Sequence, residues 1–350
     1  MHKFNLYDEH RQYFSPKIIA MVTKLYQYKG RLEVFTETME KDLSLFTPVA
    51  KRHSAIASNK ISGITAPDSR LDKLFSPNAE PKKGNEEEIA GYFRVLDSIL
   101  GNYDYIPCKP YYILQLHRDL YSFSRTKIGG QYKNMDRRNE GTFLKGTDPF
   151  HQPFRPVRAI ATERAMDDLY DSFNSALETE GTDPLILIPI MLLDFLCIHP
   201  FKEGTDRMFR LLAILNCCKH GFILAKYISL EQIMEERWQE FHEAFLDSSY
   251  GWHENTANYE PFICWFLSIL MQGYAELENR IGNLKSAGKT KSQLIEKFID
   301  EKNGKFNKKE LLEYFPGISE ITIERTLSSL CRKKKIAKTG ASRATFYVRN

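Results

Sequence analysis

The chain has 350 residues, of which 42% are apolar and 27% charged, and its formal net charge is +4. This is the composition of an ordinary soluble globular protein, with enough length for two domains. The six cysteines show no C-x-x-C spacing, and most lie in apolar surroundings, so reduced, buried thiols are favoured over a disulfide framework. Residues 1–5 carry no signal-peptide pattern, and the longest apolar run, 185–197, is too short to span a bilayer. We therefore expect a cytoplasmic protein without membrane contact.

The charge is unevenly distributed along the chain. Residues 285–350 contain 16 Lys and Arg against 7 Asp and Glu, a net charge of +9, which leaves −5 on the other 284 residues. A slightly acidic body with a small basic tail indicates two parts with separate roles.

Apolar residues at helical spacing predict a mainly helical body. The predicted helices before the centre of the chain cover 16–50 (as two helices), 53–64, 86–100, 110–121 and 162–177. Small residues fill 53–64, and Gly63 is expected to cap the end of that helix. Residues 68–88 are polar and rich in proline and glycine, which predicts a loop, and Thr162 is expected to be an N-cap.

Residues 128–158 differ from the rest of the body. Glycines, prolines and short β-prone pieces surround a polar tip, which predicts an exposed hairpin or flap. This flap is the only β element expected in the body.

The run 185–197 is apolar on all sides, so it predicts the central buried helix, with Pro189 as an early-turn residue or a kink. After it, the predicted helices are 207–219, 229–245 and 258–281, and a Gly/Ser/Lys linker follows at 285–291.

The basic tail, residues 292–350, has the pattern of a winged helix-turn-helix. Its predicted elements are helices at 292–300, 308–314 and 320–333 and strands at 335–338 and 344–348. Such modules contact DNA or dock proteins, and the basic residues Arg325, Arg332, Lys333, Lys334 and Arg343 do not decide between the two.

A dense polar cluster, residues 199–210, lies between two apolar runs. A glycine turn that leads into a helix N-terminus is a natural anion site, and Arg207 and Arg210 share one face of that helix. Glu203 supplies a hard oxygen ligand of the kind that Mg²⁺ uses, and His199 has a pKa range that suits a general base. These residue types together predict nucleotide phosphate chemistry.

Simpler roles exist for the same residues. A His-Pro pair after an apolar helix can be only a helix cap, and an arginine pair near a helix start can be only salt-bridged. A zinc site at Cys197 and His199 is disfavoured, because no further ligands are spaced to complete it.

The run His-Pro-Phe-Lys-Glu-Gly-Thr-Asp-Arg-Met-Phe-Arg at 199–210 resembles the Fic family signature H-P-F-x-[D/E]-G-N-G-R-x-x-R. Residues 130–135 resemble the target-binding flap of that family. One bacterial subgroup of it is similar to this chain at residues 183–197, 226–231 and 248–254 and in the tail. The resemblance implies a mainly α fold, with a Fic-type helical body, a small β-hairpin flap and a C-terminal winged helix-turn-helix. It also implies an N-terminal helical region at 1–105, with a degenerate inhibitory helix at 54–64, and a Fic core at 106–284.

Most Fic enzymes transfer AMP from ATP to a Tyr, Thr or Ser hydroxyl of a protein. By resemblance, His199 would deprotonate that hydroxyl and Glu203 would hold Mg²⁺. The nucleotide-binding run would be Gly204, Thr205, Asp206, Arg207, Met208, Phe209 and Arg210, with both arginines on the β- and γ-phosphates. The flap residues Tyr132, Lys133, Asn134 and Met135 would hold the target by strand addition. The target is a protein, with the chain itself among the candidates.

Two departures from the family pattern stand out. Thr205 and Asp206 replace Asn-Gly, and a carboxylate about 4 Å from a phosphate costs roughly 4 kcal/mol at an effective dielectric of about 20. Related chains carry an inhibitory [S/T]-x-x-x-E-G helix whose glutamate pairs with the second motif arginine. Here the motif is Ser58 to Gly63, with Ser62 in place of the glutamate, which predicts an unrestrained Arg210.

Three functions therefore stay open: a Fic-type protein adenylyltransferase, a Fic enzyme that uses another nucleotide or phosphoryl donor, and a catalytically silent scaffold. The scaffold would bind DNA or a protein through residues 292–350. A homo-oligomer is also left open.

Overall fold

The computed structural model describes residues 2–75, 80–82, 84–124, 128–136, 154–285, 290–302, 304–340 and 345–349. Its helices are α1 (Leu6–Gln12), α2 (Pro16–Thr38), α3 (Glu40–Ser44), α4 (Thr47–Ile61), α5 (Asp68–Leu74), α6 (Asn85–Asn102), α7 (Pro110–Leu120), α8 (Ala159–Glu178), α9 (Pro184–Ile198), α10 (Thr205–Lys219), α11 (Leu230–Glu236), α12 (Trp238–Ser249), α13 (Glu260–Lys285), α14 (Lys291–Glu301), α15 (Lys308–Tyr314) and α16 (Glu320–Arg332). Two strands, β1 (Ile336–Thr339) and β2 (Phe346–Arg349), form an antiparallel sheet. The predicted mainly α fold is confirmed. Within the described residues, no helix is long and apolar enough to cross a membrane.

Helix α9 is the centre of the body. Every residue from Leu185 to Ile198 is buried, and the helix packs against α8, α10 and α13. Asp183 caps its start by accepting a 2.8 Å hydrogen bond from the Leu185 N–H, and the helix runs on through Pro189. An apolar helix with neighbours on all sides has little freedom to shift, so α9 holds the residues at its end in place.

The N-terminal helices share this core. Leu25 of α2, Tyr92 and Leu96 of α6, and Leu193 of α9 belong to one continuous buried apolar cluster. Helix α4 packs against α6 and α11, and its C-terminal half faces α10. The boundary predicted at residue 105 therefore falls within one packed body, and the division into domains stays a prediction.

Several local predictions were wrong. The stretch predicted as loop contains α5, because Leu71 and Leu74 lie on one face and pack with Ile89. Thr162 does not cap α8, which begins at Ala159; the Thr162 hydroxyl instead donates to the Arg158 carbonyl at 3.1 Å.

Helix bounds also differ from the predicted ones; α4, for example, begins at Thr47 and not at residue 53. The first predicted helix is longer, since α2 continues to Thr38, and the helix predicted at 229–245 is divided at Arg237. Short helices owe their stability to tertiary packing, which helical periodicity does not report.

The predicted flap is described only in part. Residues 128–136 and 154–158 contain no strand, and residues 137–153, the predicted tip, lie outside the described residues. The two flanks are attached to the end of α9: the Lys133 N–H bonds the Pro200 carbonyl at 2.9 Å, and the Val157 N–H bonds the Cys197 carbonyl at 3.3 Å.

The tail has a hydrophobic core of its own, with Ile295, Leu311, Ile323, Leu327 and Ile336 among its buried residues. Three helices followed by β1 and β2 is the element order predicted for a winged helix-turn-helix.

The tail also contacts the body. Nε2 of His53, on α4, lies 2.9 Å from Oε2 of Glu313, on α15. Helix α4 therefore reaches the tail at one end and, as described below, the central loop at the other.

Candidate active site

His199 lies at the C-terminal end of α9. Its backbone is left-handed (φ 49°, ψ 64°), its N–H bonds the Phe195 carbonyl at 3.0 Å, and it is 2% exposed. A residue other than glycine keeps such a conformation only when its surroundings hold it there. His199 is therefore a helix cap, as the simpler interpretation has it, and also a side chain fixed in position at the mouth of the loop.

The loop 200–204 closes onto the start of α10. Gly204 is the N-cap with φ 81°, and a Cβ there would lie 2.8 Å from the Tyr121 hydroxyl oxygen, so only glycine fits without a shift. The Thr205 hydroxyl lies 3.2 Å from the Phe201 backbone nitrogen, which donates to it, and 3.4 Å from the Phe201 carbonyl. Thr205 thus ties the two ends of the loop together, a role that explains a buried threonine at this position.

The first turn of α10 offers backbone N–H groups and the positive end of the helix dipole. Glu203 is exposed beside it, so its carboxylate is accessible to solvent. Met208 and Phe209, which the resemblance included in the nucleotide-binding run, are 0% and 1% exposed and pack into the core. Their contribution is to anchor α10.

Arg207 is buried, and both of its terminal nitrogens contact protein groups. Its Nη2 lies 2.5 Å from Oε2 of Glu88 and donates to the Tyr121 hydroxyl at 2.7 Å, and its Nη1 donates to Oδ1 of Asn59 at 3.4 Å. The guanidinium also lies over the Tyr121 ring, 5.2 Å from its centroid. These partners come from α4, α6 and the end of α7, and no local sequence pattern pointed to them.

Arg210 is held by α4. Its Nε donates to the Ser58 hydroxyl at 2.7 Å, and its Nη2 donates to the Ser58 carbonyl at 2.9 Å and the Ser62 hydroxyl at 2.8 Å. The same Nη2 lies 3.2 Å from Oδ2 of Asp206. Gly63, with φ 76°, ends α4 directly after Ser62.

The expectation that loss of the glutamate leaves Arg210 unrestrained is therefore wrong for the contacts of this structure. Asp206 supplies a carboxylate to Arg210 from α10, whereas the missing glutamate would have come from the end of α4. The Oδ2 of Asp206 also accepts a short hydrogen bond from the Ser62 hydroxyl. Burial would raise the pKa of Asp206, but the charges of Arg210 and Arg207, with hydrogen bonds from Ser62 and Arg210, lower it to about 2. Asp206 is ionised at neutral pH.

Residues 107–217, from just before α7 to near the end of α10, match the Fic/DOC family. The chain therefore contains a Fic/DOC family domain over these residues. No curated protein sequence gives a significant match.

Several solved structures share the fold of this chain. A Fic family protein from Desulfovibrio desulfuricans G20 has a TM-score of 0.60 at 18% identity, over 96% of this chain and 97% of that one. A Fic domain containing signaling protein from Bacteroides thetaiotaomicron VPI-5482 has a TM-score of 0.51 at 17% identity, over 74% and 95% of the two chains. Fic-1 from C. elegans has a TM-score of 0.53 at 17% identity, over 77% and 74%.

His117, which sequence reasoning missed, connects the flap of this Fic domain to the motif loop. The Gly130 N–H donates to its Nδ1 at 3.0 Å, so the proton of the neutral ring is on Nε2, which donates to the Glu203 carbonyl at 3.0 Å. The ring stacks on Phe201, with 3.7 Å between centroids and 9° between planes. No motif could have revealed this contact, because His117 lies 86 residues before Glu203.

His117 gives a prediction for stability. Burial lowers its pKa to about 4 from an ordinary 6.5. In the unfolded chain His117 is protonated below about pH 6.5, whereas in the folded chain it stays neutral down to about pH 4. Its contribution to the free energy of unfolding is therefore complete above pH 6.5 and is lost as the pH falls toward 4. Between pH 7 and pH 4.5, His117→Gln should lose about 2 kcal/mol less unfolding free energy than the wild type. Urea denaturation of both at the two pH values measures this, and equal losses would contradict it.

The four predicted flap residues do not all face outward. Asn134 and Met135 are exposed, Met135 by 68%, and Tyr132 is half-buried. Lys133 is buried, and its Nζ donates to the Ile198 carbonyl at 2.8 Å, at the C-terminal end of α9. A lysine is favourable at this negative helix end, so Lys133 holds the flap against α9 and does not project toward a target.

A buried polar layer supports Arg210 from behind. Tyr92 donates its hydroxyl to Oε1 of Glu231 at 2.8 Å, and both residues are fully buried. Burial raises the pKa of Glu231, against hydrogen bonds from Ser54 and Tyr92 and the Arg210 charge. This layer joins α4, α6 and α11 beneath the motif arginines.

Proposed function

We propose that this protein transfers a nucleoside monophosphate from a nucleotide to a hydroxyl group of a protein. AMP from ATP is the donor that the family resemblance suggests. Fic membership supports transfer chemistry in general, and the finer assignment rests on the site.

The observation that supports it most is the juxtaposition at residues 199–210. A five-residue loop, 200–204, joins two buried helices. The first helix ends at His199, and the second carries the buried Arg207 and Arg210. A purely structural loop needs no exposed carboxylate at 203 directly before a helix N-terminus, which is a natural site for an anion and its metal ion.

Magnesium fits this site as an ion shared with the donor. The described residues contain no group of three His, Cys, Asp or Glu that could cage a metal. Mg²⁺ in nucleotide sites is commonly held by one or two carboxylates and by phosphate oxygens, and the exposed Glu203 beside the N-terminus of α10 meets that need. Bound there, it would neutralise phosphate charge.

His199 would act as the general base. The target oxygen would bond to the α-phosphorus as the bond from that phosphorus to its bridging oxygen breaks, so that pyrophosphate leaves when the donor is ATP. The hydroxyl proton would pass to the imidazole. The backbone N–H groups that begin α10 would stabilise the phosphate charge, and the flap would orient the target segment.

The experiment is label transfer by the full chain, alone and with cell extract, from α-labelled ATP or α-labelled ADP with Mg²⁺. Protein-bound label that depends on His199 is the expected result. A γ-labelled ATP control separates nucleotidyl from phosphoryl transfer, since the γ label should not move. Absence of His199-dependent transfer from every nucleotide would overturn the proposal.

That negative result would favour the scaffold alternative. Helix α16 exposes Arg325 and Arg332 to solvent, together with Ile321, which is 61% exposed. This face would then be the functional one, in contact with DNA or with a protein. Arg343, at the predicted wing, lies outside the described residues.

A further inference from the structure

The two motif arginines have little capacity left for a ligand. Arg207 is paired with Glu88 and Arg210 with Asp206, so two positive charges are balanced by two carboxylates. Among the donors of Arg210, Nη1 alone is without a hydrogen-bond partner within the described part of the chain, and it is buried. A phosphate that reached for Arg210 would have to displace a protein group.

Asp206 lies directly beside Arg210, so a phosphate that contacted this guanidinium would also meet the carboxylate. Asp206 is the second residue of α10, its side chain is 22% exposed, and its Oδ2 lies between the Ser62 hydroxyl and Nη2 of Arg210. A carboxylate in the first turn of a helix is stabilised by the helix dipole, and this one has two donors in addition. Its negative charge is therefore a stable part of the site.

The repulsion between Asp206 and a bound nucleotide depends on the length of the phosphate chain. The backbone N–H groups at Gly204 and Thr205 can hold the phosphates nearest the reacting centre without reaching Arg210. A third phosphate extended along the face of α10 toward Arg210 would lie against Asp206. Juxtaposed like charges at a binding site cost a factor of about tenfold to hundredfold or more in affinity.

We infer that Asp206 makes this site select against a terminal third phosphate, so that the donor is a nucleoside diphosphate or a diphosphate ester of a nucleoside. This inference rests on the proposed function and narrows its donor. The target oxygen would bond to the α-phosphorus and the hydroxyl proton would go to His199. The bond from that phosphorus to the bridging oxygen would break, so the leaving group is inorganic phosphate or a phosphate ester.

Calorimetry on the full chain with Mg²⁺ tests this, with ADP and ATP as the probes. The wild type should bind ADP at least about tenfold more tightly than ATP. Asp206→Asn keeps the size and hydrogen bonding of the side chain but removes its charge, and it should reduce the ADP preference about tenfold or reverse it. Glu33→Gln, an exposed carboxylate on α2, is the control for net charge and should keep the wild-type ratio.

The outcomes separate this inference from the proposed function. ATP bound as tightly as ADP by the wild type, or an ADP preference unchanged in Asp206→Asn, would overturn the inference and leave nucleotidyl transfer standing. No binding of either nucleotide to any of the three proteins would overturn both. Thermal melting of Asp206→Asn shows that the variant is folded in each case.

Discussion

Replacement of His199 is expected to lower protein labelling by about 10²- to 10⁴-fold, the usual contribution of a general base, while nucleotide affinity stays near that of the wild type. The imidazole would take the hydroxyl proton of the target, whereas the phosphates are expected at the backbone N–H groups of Gly204 and Thr205. Two variants are needed because His199 has a left-handed backbone with φ 49°. His199→Ala adds backbone strain, whereas His199→Asn removes the base with a residue that tolerates this conformation.

The measurement is the initial rate of label transfer, with nucleotide affinity from calorimetry alongside. His242→Ala, a histidine of α12 outside the loop, serves as the matched control and should keep the wild-type rate. A His199→Asn protein that is folded, binds nucleotide and transfers label at the wild-type rate would remove His199 from the chemistry.

A second large effect is expected from the pair at positions 62 and 206. Ser62→Glu places a second carboxylate beside Asp206, and both compete for Arg210. Two like charges about 4 Å apart cost roughly 4 kcal/mol at an effective dielectric of about 20, and partial exposure of Asp206 reduces this. We expect Ser62→Glu to destabilise the chain by about 1–3 kcal/mol, and Asp206→Asn in the same chain to restore that loss.

Urea denaturation of the four proteins of this double-mutant cycle gives the coupling energy. Ser62→Gln is the matched control, since it adds the same volume without charge and should cost less than Ser62→Glu. Additive effects, with no coupling between the two positions, would show that the two carboxylates do not share Arg210. Coupling would show that the departures at 62 and 206 compensate one another.

The local parts of this site could be predicted from the sequence. An apolar run, a glycine turn and two arginines three residues apart predicted a buried helix, a loop and a second helix, because these signals lie within a few residues of one another. The glycine cap at Gly63 was predicted in the same way, and its φ of 76° agrees.

The partners of these residues were not predictable. Arg210 meets Ser58 across 152 residues of sequence, and Asp206 meets Ser62 across 144, so no spacing encodes either contact. From the sequence of the loop alone, Asp206 was only a carboxylate that would repel a bound phosphate. Its relation to Ser62 and Arg210 exists only after α4 packs against α10, and that packing decides what the charge does.

The most direct test of the account is a crystal structure of the full chain with ADP and Mg²⁺. We predict the two phosphates at the backbone N–H groups of Gly204 and Thr205, the metal ion on Glu203, and Asp206 still bonded to Ser62 and Arg210. A nucleotide bound elsewhere on the chain, or phosphates seated on Arg210 in place of Asp206, would contradict it.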